Sequence, residues 1–191
     1  MFGIDKQMKN SQSGASTVVV VGLLVAIAFG PRGEAYADDG VKDANETVAL
    51  FKKNDPGLAR FFQSALGYAV FPSVGKGGLG LGGAYGSGVL YQGGKPVGKT
   101  TLTQVTIGLQ LGGQAYSEVI FFESEKVLSD FKAGNFAFSG QASAVAVTAG
   151  ASADANYRSG VAVFTAAKGG LMYEASIGGQ KFSYEPFGKK K

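Results

Sequence analysis

The sequence has no cysteine, no histidine and no tryptophan, and only five prolines in 191 residues. Without cysteine there is no thiolate nucleophile and no lipid-modified residue behind a leader. Without histidine the side chain most used as a general base near neutral pH is gone, and with it the commonest transition-metal ligand. We therefore expect no enzyme, no metal and no cofactor. Charged residues make up only 17%, but a hydrophobic content of 45% over this length supports one domain with a core. Glycine is abundant instead: 31 residues with no Gly-X-Y period, which excludes collagen and leaves a β-rich domain with many tight turns.

Residues 1–37 read as an export signal. Lys6 and Lys9 precede an apolar run at 18–29, and Ala35-Tyr36-Ala37 forms a small-x-small cleavage site. The run stops at Gly30-Pro31, short of the roughly 20 residues a spanning helix needs. Cleavage after Ala37 is therefore expected rather than a retained anchor. It would leave a single domain, 38–191, with a short basic tail, in the periplasm or attached to the envelope. The mature net charge is +3, an excess that Lys189-Lys190-Lys191 account for. The folded body is close to neutral and implies no nucleic-acid surface.

The segment 75–91 organises the rest. Glycine alternates there with leucine, tyrosine and valine near period two, giving strand geometry with one face almost bare. Another element is expected to press on that face, and the alanine- and serine-rich stretch 141–155 is the candidate. Helices are expected over 41–53, where Val41, Ala44, Val48 and Phe51 share a face, and over 56–66, with Asp55 as N-cap and Pro56 at the first position. A third runs over 124–133, between Ser124 and Gly134. Strands are expected at 68–71, ended by Pro72, and over 100–111, where Leu102, Val105 and Ile107 alternate with polar residues after one slip of register at Gln104. Further strands fall at 116–122, 161–167, 171–177 and 180–184. The expected fold is α+β: a glycine-rich, mostly antiparallel sheet curled into a sandwich or open barrel, with two N-terminal helices and one inserted.

Two nucleotide motifs are set aside. Residues 93–100 match G-x-x-x-x-G-K-[ST], and Gly78-x-Gly80-x-x-Gly83 matches a dinucleotide fingerprint. Both are followed by strand pattern, so neither has the helix N-terminus that cradles phosphate. The carboxylates Glu118, Glu123, Glu125, Asp130, Asp154, Glu174 and Glu185 are scattered singly and read as solvated or capping side chains rather than a glycosidase pair.

Four motifs in order carry a family resemblance: Gly67-Tyr68-Ala69-Val70-Phe71-Pro72, the stretch 82–89, the segment 107–114 and Lys168-Gly169-Gly170-Leu171-Met172-Tyr173-Glu174. Together they resemble the SYLF domain from about residue 41 to residue 184. That family is described as lipid-binding, and its eukaryotic members pair the domain with an SH3 or FYVE module at phosphoinositide membranes and actin. This chain has neither module, and Thr100-Thr101-Leu102-Thr103 stands where the family often carries a Trp-Ser-x-Pro element. The resemblance implies an exported, non-catalytic protein that binds membrane lipid, with an anionic phospholipid as the expected partner. The alternatives are a structural or oligomerising envelope protein and a small outer-membrane β-barrel; protein partners are not legible. For the head group the sequence offers Lys76, Lys95 and Lys99 in turns flanking the glycine stretch, expected together at one end of the sheet. Lys52, Lys53 and Arg60 on the N-terminal helices are expected to join them.

Overall fold

A computed structural model describes residues 33–79, 81–107, 113–138, 143–168 and 174–188. Residues 1–32, which hold most of the expected export signal, most of the motif at 107–114, residues 169–173 of the fourth motif, and the basic tail lie outside the described residues. The order of elements is α1 (Gly33–Asn54), a 3-10 turn (Pro56–Leu58), α2 (Ala59–Ser64), β1 (Gly67–Leu79), β2 (Leu81–Gln92), β3 (Lys95–Ile107), β4 (Gly113–Phe122), α3 (Glu125–Lys132), β5 (Ser143–Ala146), β6 (Val161–Ala167), β7 (Glu174–Ser176) and β8 (Lys181–Pro186). All eight strands form one sheet in the order β7-β5-β6-β4-β1-β2-β3-β8, antiparallel except between β5 and β6. The α+β architecture is thus as expected, but as a single curled open sheet and not a sandwich of two.

The curl can be read from contacts between opposite margins. Gln104 of β3 donates its Nε2 to the carbonyls of Ser176, the last residue of β7 at the other edge, and of Gly178 just past it, at 3.2 and 2.8 Å. The concave face holds Ala69, Phe71, Leu90, Leu102, Ile120, Phe122, Val163 and Phe182, and α3 fills one end of it with Leu128 and Phe131. The Phe131 ring lies 4.7 Å from Phe122 and 5.0 Å from Phe182. On the convex face Tyr68, Val70, Val119, Phe121 and Phe164 pack beneath α1 and α2 through Ala44, Phe51, Leu58 and Phe61. Because period two sends successive residues to opposite faces, a strand covered on both sides is mostly apolar, and Tyr116 to Phe122 are all buried, the polar Ser117 and Glu118 included. Helices cover the convex side of β4, so that face does not look outward as a lipid-facing barrel wall would.

Three local expectations need correction. Pro72 does not end a strand: β1 runs through it by means of a bulge, with register shifts against both β2 and β4, and Ser117 Oγ bonds the Pro72 carbonyl at 2.8 Å. The bulge absorbs the missing N–H, which is how proline survives in a central strand. Gln104 causes no slip: β3 stays in register with β2 from Leu81↔Ile107 to Leu90↔Gly98. The pleat carries Gln104 inward and leaves Val105 exposed, so a polar residue sits in the core and an apolar one outside. The bare face of β2 is met by β1 and not by the 141–155 stretch: a Cβ on Gly86 would stand 2.9 Å from Val74 Cγ2, and one on Gly88 2.7 Å from Phe71 Cδ1. Stretch 141–155 instead contributes β5, which pairs with β6 and β7. Helix α1 begins eight residues before the apolar face that announced it, and α2 ends at Ser64.

Candidate functional site

The first hairpin, β1–β2, turns at one end of the sheet, and the second, β2–β3, turns at the other. Lys76 pairs with Ala84 near the first turn, whereas Lys95 pairs with Gln92 at the second. The expected trio is therefore split, because a meander puts successive turns at opposite ends. Lys99 lies between, on the convex face, with Val89 and Glu185 as cross-strand neighbours. Arg60 is committed elsewhere: its Nη2 donates to the carbonyls of Ser152, Ala153 and Ala155, and its guanidinium lies 4.8 Å from the Phe61 ring centre.

What gathers at the second turn is a different set. Lys52 and Lys53 close the last turn of α1, with Lys52 Nζ 4.6 Å from the Phe62 ring centre. Phe62 meets Tyr68 edge-on, and Tyr68 stacks on Tyr91 at the same end. Gly93 N–H bonds the Leu66 carbonyl at 3.4 Å, placing the Gly93-Gly94-Lys95 turn against the exposed Leu66. Lys132 of α3 reaches in, donating to Gln92 Oε1 at 2.7 Å. Positive φ at Gly93 and Gly94 makes this a tight hairpin, so the G-x-x-x-x-G-K-T match leads into a strand and offers no helix N-terminus. This end thus carries Lys95 in the turn beside the exposed Leu66, Lys132 on Gln92 and Lys52 over Phe62, with Lys53 next to it at the end of α1 and Leu50 exposed one turn earlier.

A second cluster lies inside the curl and escaped the sequence reading. Glu118, in the middle of β4, is fully buried. Its Oε2 accepts from Gln180 Nε2 at 3.0 Å, and Gln180 also donates to the Tyr116 hydroxyl at 3.4 Å. Thr165 is the cross-strand neighbour of Glu118 on β6. Burial pushes the Glu118 carboxyl up to about 7, only partly offset by the Gln180 bond and by the charge of Lys76. Burial likewise lowers Lys76, and Glu118 opposes that. Lys76 points inward, with Nζ 3.4 Å from the Ser176 carbonyl. A glutamate inside an otherwise apolar run was the available signal, but a lone carboxylate more often caps or faces water.

The third construction is a clasp. Asp55, nearly inaccessible, accepts from Gly57 N at 3.0 Å and from Ser152 N at 2.6 Å. Burial alone would raise its carboxyl, but these bonds, with Gly150, hold it below the usual carboxylate range. Asp55 and Arg60 together tie the loop before β6 to the helical cap, beside an open cleft of about 460 Å³ lined by Arg60, Gln63, Ser64, Asn156 and Tyr157. Replacing Asp55 by alanine strands two backbone donors, and a loss of about 2 kcal/mol is expected in urea unfolding. A change within about 0.5 kcal/mol would mean that Arg60 alone secures the loop.

Residues 103–186, from within β3 to the end of β8, match the family Ysc84, described as Las17-binding protein actin regulator. The chain is also similar to Beta cell expansion factor A of Aeromonas veronii, at 30% identity over 138 residues, which is 71% of this chain and 51% of that protein. It spans about half the length of that relative. Residues 103–186 thus match the SYLF (Ysc84) family that the motifs resemble, and two of the four motifs, 107–114 and 168–174, fall inside the match. The motifs at 67–72 and 82–89 lie before the matched stretch. The family is described as regulatory, a matter of binding rather than of a reaction.

Proposed function

We propose that the chain is an exported, non-catalytic lipid-binding protein of the envelope that meets anionic phospholipid with the end of its sheet at the β2–β3 turn. The observation that carries this reading is the grouping of Lys52, Lys53, Lys95 and Lys132 at the end that exposes Leu66, cations beside an apolar contact. Such a surface attracts an anionic leaflet and lets a few apolar side chains enter its interface. The SYLF resemblance supplies lipid as the class of ligand. Among the described residues no helix is long and apolar enough to cross a membrane, and the reading asks for peripheral attachment. Cleavage after Ala37 removes the start of α1 and keeps Ala44 and Phe51, which pack in the convex core. Actin regulation, named in the family description, is not part of this reading, since an exported chain meets no actin.

Sedimentation with phosphatidylglycerol and phosphatidylcholine vesicles tests it, with binding expected to the first and released by salt. No association with either overturns the reading. Replacing Lys52 and Lys95 by glutamine is expected to weaken binding at low salt by about 2 kcal/mol, at roughly 1 kcal/mol per charge. An undiminished double variant would move the contact to another surface. Export is tested separately: the periplasmic form is expected to start at Asp38.

A further inference from the structure

We propose that the connector Ile177–Gln180, which crosses the open seam of the curled sheet, is a proton-controlled latch: docked while Glu118 is neutral, loosened when that carboxyl ionises. The connector is held mainly by side chains from three strands. Gln104 of β3 donates to the carbonyls of Ser176 and Gly178, Lys76 of β1 to that of Ser176, and from within the connector Gln180 donates to Glu118 and Tyr116 of β4. Its own backbone adds Gly179 N–H to the Phe138 carbonyl and Gln180 N–H to the Ile177 carbonyl, at 3.3 and 3.1 Å. Among the described residues no strand ladder joins β3 to β7 across the seam. These bonds can be released without unzipping a strand.

The surroundings of Glu118 decide which protonation state suits the docked form. Glu118 Oε1, Gln180 Oε1, Gln104 Oε1 and Thr165 Oγ1 are all buried without a hydrogen-bond partner. Thr165 Oγ1 can donate as well as accept, but Gln180 Oε1 only accepts; toward it a neutral carboxyl contributes a donor and a carboxylate only a further acceptor. The groups facing Glu118 are Lys76 from β1, Tyr116 from β4, Thr165 from β6 and Gln180 from the connector. Lys76 is the one cation among them, and burial works against its charge. Tyr116 stays neutral throughout, because burial pushes its hydroxyl up. A buried carboxylate so poorly matched calls in water. The elevated carboxyl puts the change near neutral pH.

Hydrogen–deuterium exchange on the full chain tests the latch. With rates corrected for intrinsic exchange, amides of residues 177–180 are expected to exchange at least tenfold faster at pH 8.5 than at pH 5.5. The labelling time is kept short enough that central β1 and β4 amides stay unexchanged at both. Glu118→Gln is expected to keep the slow rate at both pH values. Equal protection in the parent, or a pH response retained in Glu118→Gln, overturns the proposal. Should that variant not fold, Lys76→Met leaves Glu118 packed and removes the opposing cation, so the midpoint of the parent's transition is expected to rise. An unmoved midpoint overturns Glu118 as the controlling group.

Discussion

Replacing Gly88 by valine is expected to cost about 3 kcal/mol or more, enough to lower the urea midpoint sharply. A Cβ there collides with the Val70 carbonyl and comes within 2.7 Å of Phe71 Cδ1. Neither neighbour can yield: the carbonyl belongs to the central strand beside the Pro72 bulge, and the Phe71 ring is buried in the concave core. Gly75 is the internal control. It lies on β1 with nothing within 4 Å of its Cβ position, so alanine there is expected to change stability by no more than about 1 kcal/mol, with unfolded-state entropy favouring the substitution. Far-UV circular dichroism through a urea titration reads both. If the Gly88 variant matched the parent, the close approach of β1 to β2 would not be what the glycine preserves.

That contrast also shows what a one-dimensional reading can reach. The alternation of glycine with large residues at 75–91 announced strand geometry with a bare face but hid a reversal, since the stretch holds the end of β1 and most of β2, paired from Leu79↔Leu81 onward; the apolar spacing at 41–51 announced a helix, and both signals depend only on local periodicity. Asp55 followed by Pro56 likewise disclosed its cap, which the bond to Gly57 N–H bears out. Pro72 misled because a bulge is a property of two paired strands, and the partner strand is not in the local pattern. The lysines misled for a similar reason. Lys76 and Lys95 flank the same glycine-rich stretch, but β2 alone is 12 residues long, about 40 Å at strand rise, and it puts them at opposite ends. Arg60 looked available on an amphipathic helix until a loop some 90 residues away supplied three carbonyls. Lys132 was overlooked and Glu118 misread as a solvated or capping carboxylate, because their roles come from partners distant in sequence, Gln92 and Gln180.

Stability is expected to peak near pH 4.5 and to fall by about 3 kcal/mol between there and pH 7.5, the reverse of the usual gain on leaving acid. Two buried carboxyls set the limits, with opposite signs. Asp55 is held below its ordinary value of 3.8 by the Ser152 and Gly57 donors. Its contribution is present above that value and is lost as pH falls through the lower folded one. Glu118 is raised from 4.5 to about 7. Its contribution is full below 4.5, where both folded and unfolded chains are protonated. As pH rises, the unfolded chain gives up its proton first, so stability drains away until the folded carboxyl ionises near 7, and then levels off. A shift of this size corresponds to about 3 kcal/mol, at 1.36 kcal/mol per unit. The buried tyrosines, pushed up by burial, titrate far above the window and add no slope. Thermal unfolding followed from pH 4 to pH 8 is therefore expected to show a melting temperature roughly 10 °C higher at pH 4.5 than at pH 7.5. Glu118→Gln removes the titrating proton and should flatten that limb while leaving the acid limb of Asp55 in place. A parent whose melting temperature rose steadily from pH 4.5 to pH 7.5 would show that Glu118 is ionised and satisfied in the native fold.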